Sequence, residues 1–118
     1  MNIFKTIIFI LALYANAAHS SEAGRGYLDS AIYSRSNHAL TVYGWVASEK
    51  QNIFVTNIMV DVDGAQIYQG RLQRSERDDV AAITGRQDWL ASGFEVGIQL
   101  PDSIDGGVHS VHARARFS

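Results

Sequence analysis

Residues 52–69 read NIFVTNIMVDVDGAQIYQ, and this stretch gives the strongest indication of the fold. Ile58, Val60 and Val62 alternate with the residues between them, which is the period of two that sets one face of a β-strand against a core. Asp-Gly at 63–64 then supplies two residues that tolerate positive φ, as a tight hairpin turn requires. The stretch therefore predicts a β-hairpin around which the rest of the chain packs.

Three further segments have the pattern of strands. Residues 93–100 alternate strictly and end at Pro101, which offers no amide hydrogen to a sheet. Residues 40–47 are apolar on both faces, which predicts a central strand, and Gly44 within them allows a bulky group to approach the backbone. Residues 108–117 alternate again and predict the last strand.

The segment after the hairpin, residues 71–92, lacks this alternation. Ser75 and Asp78 have the spacing of a helix-capping box, residues 80–83 can form one or two helical turns, and Gly85 can end them. We expect a short helix in a crossover loop. With six or seven strands in the chain, the prediction is an all-β fold, an antiparallel immunoglobulin-like β-sandwich, with a small closed barrel as the alternative.

Residues 1–20 are typical of a secretory signal peptide. One positive charge, Lys5, precedes an apolar run that is about half the ~20 residues needed to span a bilayer. Small residues then allow cleavage after Ala17 or after Ser20. We therefore expect a single domain over residues 21–118 and no membrane span once the signal is removed.

Composition narrows the source and the class of partner. The exported chain keeps nine Lys and Arg against twelve Asp and Glu, a formal charge of −3, and its cations are scattered. This distribution argues against nucleic acid as a partner. The chain has no cysteine, whereas small exported animal domains usually carry disulfides. These features predict a bacterial protein that is periplasmic or secreted.

A further pattern extends over most of the domain: Gly44-Trp45, Val60-Asp61, Asp63-Gly64, Arg77, Asp79-Val80, Gly93-Phe94, Leu100-Pro101, Gly107, His109 and Val111. It resembles a group of bacterial immunoglobulin-like modules that occur alone or attached to surface and sugar-handling proteins, with functions that are largely undefined. The residue between Arg77 and Asp79 is often Pro in those modules and is Asp78 here. The resemblance implies an immunoglobulin-like fold and a non-catalytic accessory role, and it brings no catalytic residue.

The crossover segment 71–92 is the predicted functional surface. Trp89 lies among polar residues and is expected to be exposed, where its ring can stack on a sugar or anchor a protein, whereas Trp45 is expected in the core. Arg77 can bind a carboxylate or a pair of sugar hydroxyls. Alternatively, it reaches a strand carboxylate such as Asp61 and pins the loop. The predicted ligand-binding residues are Trp89, Arg77, Asp78, Asp79 and Arg86.

Other polar residues give weak signals for chemistry. Four aspartates invite a calcium hypothesis, although the sequence lacks the further acidic positions of a calcium loop. His109 and His112 fall on opposite faces of a strand, which disfavours zinc. We expect His109 to be a core or rim histidine with a satisfied hydrogen bond. The sequence therefore predicts no enzyme, no metal and no cofactor. The four aspartates are Asp61, Asp63, Asp78 and Asp79.

The expected function is that of an exported, non-catalytic binding module that recognises a protein or a surface glycan through its loops. Two alternatives are a periplasmic enzyme inhibitor and a structural subunit of a surface assembly. In the latter, the last strand would lie at an edge and pair with a partner's strand. Arg114 and Arg116 on that strand would then set specificity or block unwanted pairing.

Overall fold

The computed structural model describes residues 8–17, 24–50, 54–104 and 108–117. In this part of the chain, eight strands form two four-stranded sheets, and two short helical segments lie between the sixth and seventh strands. The strands are β1 Ile8–Ala17, β2 Gly24–Ser34, β3 Ala39–Ser48, β4 Val55–Val62, β5 Ala65–Arg71, β6 Arg74–Ser75, β7 Gly93–Gln99 and β8 Val108–Phe117. The helical segments are the α-helix α1, Asp78–Thr84, and a 3₁₀ helix, Gln87–Ser92.

The two sheets enclose one apolar core. One sheet has the order β2-β3-β7-β6 and is antiparallel, and the other has the order β1-β8-β4-β5, in which only β1 and β8 run parallel among the described strands. Buried residues from both sheets pack in a single cluster. The prediction of an all-β sandwich is confirmed. The largest side chains that are almost fully buried are Phe117, Leu40, Ile58, Val42, Val46, Val60 and Val111.

The organising hairpin forms as the sequence predicts. β4 and β5 pair in antiparallel register around a turn in which Asp63 has φ 53° and Gly64 has φ 84°. Ile58, Val60 and Val62 are all buried. Because β4 pairs with β8 on its other side, the hairpin supplies an interior strand of its sheet.

β3 is the central strand that its two apolar faces predict, because it lies between β2 and β7. A Cβ at Gly44 would lie 2.3 Å from the carbonyl oxygen of Tyr27 and 2.9 Å from the ring of Phe94. The register of β2 against β3 also shifts opposite this glycine, between Leu28 and Ser30. Close approach of a bulky group is therefore the reason for glycine here.

The alternation in β7 and β8 sets their inner faces. In β7 the side chains of Phe94, Val96 and Ile98 are buried, and Leu100 continues the pattern beyond the strand. In β8 every second residue is buried, and the exposed fraction is 8% or less: His109, Val111, Ala113, Ala115 and Phe117. Both inner faces are those predicted from the sequence.

The segment predicted as a signal peptide contains β1. This strand pairs with β8 along its whole length and in parallel orientation. Ala17, one expected cleavage position, is its last residue. The other position, Ser20, lies outside the described residues, as does Gly107 of the resemblance.

The predicted helix is present, but its start differs from the prediction. α1 has Arg77 as its N-cap without a side-chain capping hydrogen bond, so the predicted capping box at Ser75 is wrong. Ser75 instead belongs to β6 and pairs with Gly93 of β7. Gly85 ends the helix in the left-handed conformation, with φ 69°, as predicted. Neither helical segment in the described part of the chain has the length and apolar character needed to cross a bilayer.

Candidate functional site

Arg77 clamps the start of the crossover segment onto β2. Its Nε and Nη2 donate hydrogen bonds to the two carboxylate oxygens of Asp79, at 2.9 and 2.7 Å, and its Nη1 donates to Asp29 Oδ2 at 2.6 Å. The paired hydrogen bonds from Arg77 lower the pKa of Asp79 to about 2. The arginine thus reaches a strand carboxylate, as the structural alternative proposed, but that carboxylate is Asp29 and not Asp61.

Arg86 repeats the same pattern after α1. Its Nε and Nη2 donate to both oxygens of Asp88, at 3.0 and 2.7 Å, and its Nη1 donates to Glu49 at 3.3 Å. These hydrogen bonds lower the pKa of Asp88 and raise that of Arg86. Arg25 of β2 also pairs with Glu49, at 2.7 Å. The charged groups around the 3₁₀ helix therefore bind one another.

Trp89 is buried, and the prediction that it is exposed is wrong. Only 2% of the residue is accessible, and its indole Nε1 donates to the carbonyl oxygen of Ser48 at 3.0 Å. The guanidinium carbons of Arg25 and Arg86 lie 4.6 and 4.4 Å from the ring centroid. Trp45, expected in the core, is only partly buried and packs against Trp89. Two guanidinium groups therefore lie over the ring, and only that of Arg86 comes from a residue close to Trp89 in the sequence.

The five predicted site residues do not form one open site. Asp78 and Asp79 lie in the first turn of α1, where the helix dipole favours carboxylates. Arg77 contacts Asp79, whereas Arg86 contacts Trp89. Of the five, only Trp89 lines the pocket described next. The guanidinium groups offered for recognition are therefore occupied by carboxylates of the chain itself.

A pocket of about 240 Å³ lies beside Trp89, where β3 ends and β4 begins. Its walls come from the end of β3, the start of β4 and the 3₁₀ helix. This volume lies below the roughly 300–1,000 Å³ of a typical small-molecule site. The apolar lining is Val46, Ala47, Phe54, Val55, Trp89 and Ala91, and the polar lining is Ser48, Lys50, Arg74, Asp88 and Ser92.

Phe54 is an exposed aromatic residue in the lining of this pocket. It is 57% accessible, and it is the only one of the large exposed apolar residues in the described chain that lines the pocket. The sequence held a signal for it. Phe54 and Val55 are adjacent, and neighbours in a strand point to opposite faces, so one of the two had to face away from the core.

Ser92 lines the pocket and carries a buried hydroxyl. The residue is 3% accessible, and its Oγ has no hydrogen-bond partner among the described residues. A buried polar group without a partner costs about 1–3 kcal/mol. No pattern in the sequence marks this serine, because the 3₁₀ helix that carries it was not predicted.

The charges of the pocket favour a ligand that accepts hydrogen bonds. Lys50 and Arg74 are the two cations of the lining, and the carboxylate of Asp88 is held by Arg86. Arg74 Nη2 donates to the carbonyl oxygen of Val55 at 2.9 Å, which fixes its guanidinium at the wall. Together with the Ser92 hydroxyl, these donors suit a carbonyl, hydroxyl or carboxylate oxygen.

Three of the four aspartates of the calcium hypothesis, Asp61, Asp63 and Asp79, are bound by other side chains. Asp61 accepts hydrogen bonds from Arg114 at 2.9 and 3.0 Å. Asp63 contacts His109 Nδ1 at 2.5 Å and accepts from the Ser110 amide, and these bonds lower the pKa of Asp63. His109 is thus a rim histidine with a partner, as predicted. Among the described residues, no three metal-binding side chains lie close enough to hold an ion.

Comparisons with known proteins add no family to this geometry. The chain matches no protein-family model, no curated protein and no solved structure. The site therefore has to be interpreted from its own residues.

Proposed function

We propose that this protein is an exported bacterial binding module, without catalytic activity, that recognises another protein through the pocket beside Trp89. The observation that carries the proposal is the combination of an exposed phenyl ring, a buried hydroxyl without a partner among the described residues, and two cations in the lining of one cavity of about 240 Å³. An apolar anchor beside convergent polar groups is typical of a recognition site.

The strand order supports an immunoglobulin-like type for the sandwich. In constant-type immunoglobulin domains one sheet has the order A-B-E-D, and the other contains C, F and G. Numbered from β2, the chain has A-B-E-D in the order β2-β3-β7-β6. The second sheet gives F and C as β8-β4, followed by β5 in the place of C′. We therefore propose that the sandwich is of the type found in bacterial immunoglobulin-like modules.

A protein partner suits this site better than a glycan does. Sugar rings stack on an accessible aromatic face, and Trp89, which is 2% accessible and lies next to two guanidinium groups, offers none. Phe54 is accessible but stands at a cavity whose size fits one inserted side chain. A partner that inserts an apolar residue next to a carbonyl or carboxylate would use both the ring and the donors.

The test is capture from periplasmic extract with the exported protein and matched variants. Phe54→Ala removes the exposed ring beside the pocket, whereas Ile32→Ala removes an apolar residue of similar exposure, 56% against 57%, from β2. We expect a specific protein to be captured by the wild type and by Ile32→Ala, and at least about tenfold less by Phe54→Ala. Equal capture by all three proteins would contradict the proposed site.

A second variant examines the hydroxyl. Ser92→Ala removes a buried polar atom that has no partner among the described residues, so the free energy of unfolding should rise by about 1–3 kcal/mol. Capture of the same partner should nevertheless weaken. Retention on an immobilised glycan panel, unaffected by Phe54→Ala, would replace the protein partner with a carbohydrate ligand.

A further inference from the structure

The strand position beside β8 is filled in an unusual way. In an immunoglobulin-type sheet, the strand next to F is G, which runs antiparallel to it. Here the position is held by β1, which runs parallel to β8 from the pair Ile8–Val108 to the pair Ala17–Phe117. Since parallel neighbours cannot be joined by a tight hairpin, this position accepts a strand that is remote in the sequence.

β8 has a hydrogen-bonded neighbour on both sides only while β1 is in place. Its buried residues Val111, Ala113 and Ala115 are 0% accessible and belong to the core between the sheets. Without β1, β8 would become an edge strand with a row of unpaired amide and carbonyl groups over ten residues. Such an edge is a template for pairing with another chain.

We propose that the position beside β8 is a strand-acceptor site, which binds an extended apolar segment of another protein in parallel orientation. This inference rests on the export that is part of the proposed function. Signal cleavage after Ala17 or Ser20 would separate β1 from the domain and leave the edge of β8 open. The unprocessed chain keeps the site filled with its own segment.

The sequence of β1 defines the chemistry of the segment that fits. The residues paired with the five buried positions of β8 are all apolar, whereas those paired with the alternate positions include Tyr14 and Asn16. A suitable segment has about ten residues, an apolar residue at every second position and no proline, as in strand addition to a sheet edge. The five apolar residues are Phe9, Leu11, Leu13, Ala15 and Ala17.

Arg114 does not block this edge. Its guanidinium donates to Asp61 of β4 and, at 2.6 Å, to Gln66 of β5. Both partners lie on the side of β8 that is away from β1 in the strand order β1-β8-β4-β5. The blocking role considered for Arg114 is therefore not supported, because the side chain is held across the neighbouring strands.

The first test measures processing and binding separately. The full chain is expressed in a bacterium, and the intact mass of the exported product shows whether the residues up to Ala17 or Ser20 are removed. A peptide with the sequence IFILALYANA, flanked by lysines for solubility, is then added. We expect the melting temperature to rise by about 5 °C or more at saturation, whereas a peptide with Leu13→Pro has no comparable effect.

The second test determines whether the bound segment runs parallel or antiparallel to β8. The chain has no cysteine, so Arg116→Cys introduces a unique thiol. Asn16 is the register partner of Arg116 in the parallel pair, whereas Phe9 would lie opposite in an antiparallel pair over the same residues. A peptide with Asn16→Cys should form the mixed disulfide in about tenfold higher yield than one with Phe9→Cys.

Three results would overturn the proposal. Retention of residues 8–17 in the exported protein would show that the site stays filled by its own chain, and this outcome would leave the pocket beside Trp89 untouched. Equal stabilisation by the proline peptide would show that strand pairing is not involved. A higher disulfide yield with Phe9→Cys would refute the parallel orientation. Loss of partner capture in Phe54→Ala with peptide binding intact would separate the two surfaces.

Discussion

The core between the sheets and the packing around Trp89 are two apolar regions built in different ways. The main core collects alternate residues from both sheets, and in the described part of the chain it contains sixteen buried hydrophobic residues. The second cluster has three buried residues, Ala47, Val80 and Trp89, with Trp45 packed against them, and arginine–carboxylate pairs surround it. Strand alternation therefore determines the sandwich, whereas one buried tryptophan and its polar contacts determine how the crossover segment packs.

The largest effect is expected in the main core. Ile58→Ala removes a side chain that is 0% accessible and should lower the free energy of unfolding by about 2–5 kcal/mol, because a cavity is left between the sheets. Ile83→Ala is the matched control, since Ile83 is 85% accessible, and it should change stability by less than about 0.5 kcal/mol. Urea unfolding of both variants measures the difference. Similar losses in both would mean that burial does not distinguish these positions.

The second prediction concerns Gly44, where β3 and β2 approach each other closely. Gly44→Ala places a Cβ 2.3 Å from a backbone oxygen of β2 and should cost about 3 kcal/mol, because backbone must shift to admit it. Gly97→Ala, in the adjacent strand β7, meets no atom of the described residues within 4 Å and should be nearly neutral. Thermal unfolding compares the two. A neutral Gly44→Ala would contradict the packing assigned to β3.

The third prediction concerns the small cluster alone. Trp89→Phe keeps an aromatic ring but removes the hydrogen bond to the carbonyl of Ser48, so we expect a loss of about 2 kcal/mol. Hydrogen exchange should accelerate in α1 and the 3₁₀ helix more than in β4 and β8, since the cluster is a separate packing unit. Trp45→Phe, at a partly buried position, should have a smaller effect. Uniform acceleration would mean that both regions unfold as one.

The same comparison shows what could be predicted from the sequence. Period-two alternation gave the hairpin, the central strand β3 and the inner faces of β7 and β8, because sheet burial follows directly from side-chain order. The placement of Trp89 could not be predicted in this way. Its burial depends on Arg25 of β2 and on the carbonyl of Ser48 in β3, groups remote in the sequence that approach only after the crossover folds back. The pocket depends on Ser92 and Phe54, which come together through tertiary structure.

The smallest effect is expected from breaking the Arg77–Asp79 ion pair at the start of α1. This effect depends on pH, unlike those in the core. Asp79 has a pKa of about 2 in the folded protein, below its ordinary 3.8, chiefly because Arg77 donates hydrogen bonds to it. A depressed carboxyl pKa contributes stability above about pH 4, and this contribution is lost as the pH falls towards 2. Arg77→Gln should therefore raise the midpoint of Asp79 towards 3.8, measured by NMR titration, and reduce the acid dependence of stability over that range.

Arg86→Gln provides the control for this titration. It should raise the depressed pKa of Asp88 and leave that of Asp79 at about 2, because Asp88 accepts hydrogen bonds from Arg86 whereas Asp79 accepts them from Arg77. A shift in the pKa of both aspartates in either variant would show that the two ion pairs are coupled through the fold of the crossover. An unchanged pKa of Asp79 in Arg77→Gln would instead assign the low value to hydrogen bonds from backbone amides of α1, such as that of Val80. The Arg77–Asp79 ion pair would then not be the cause of the pH dependence.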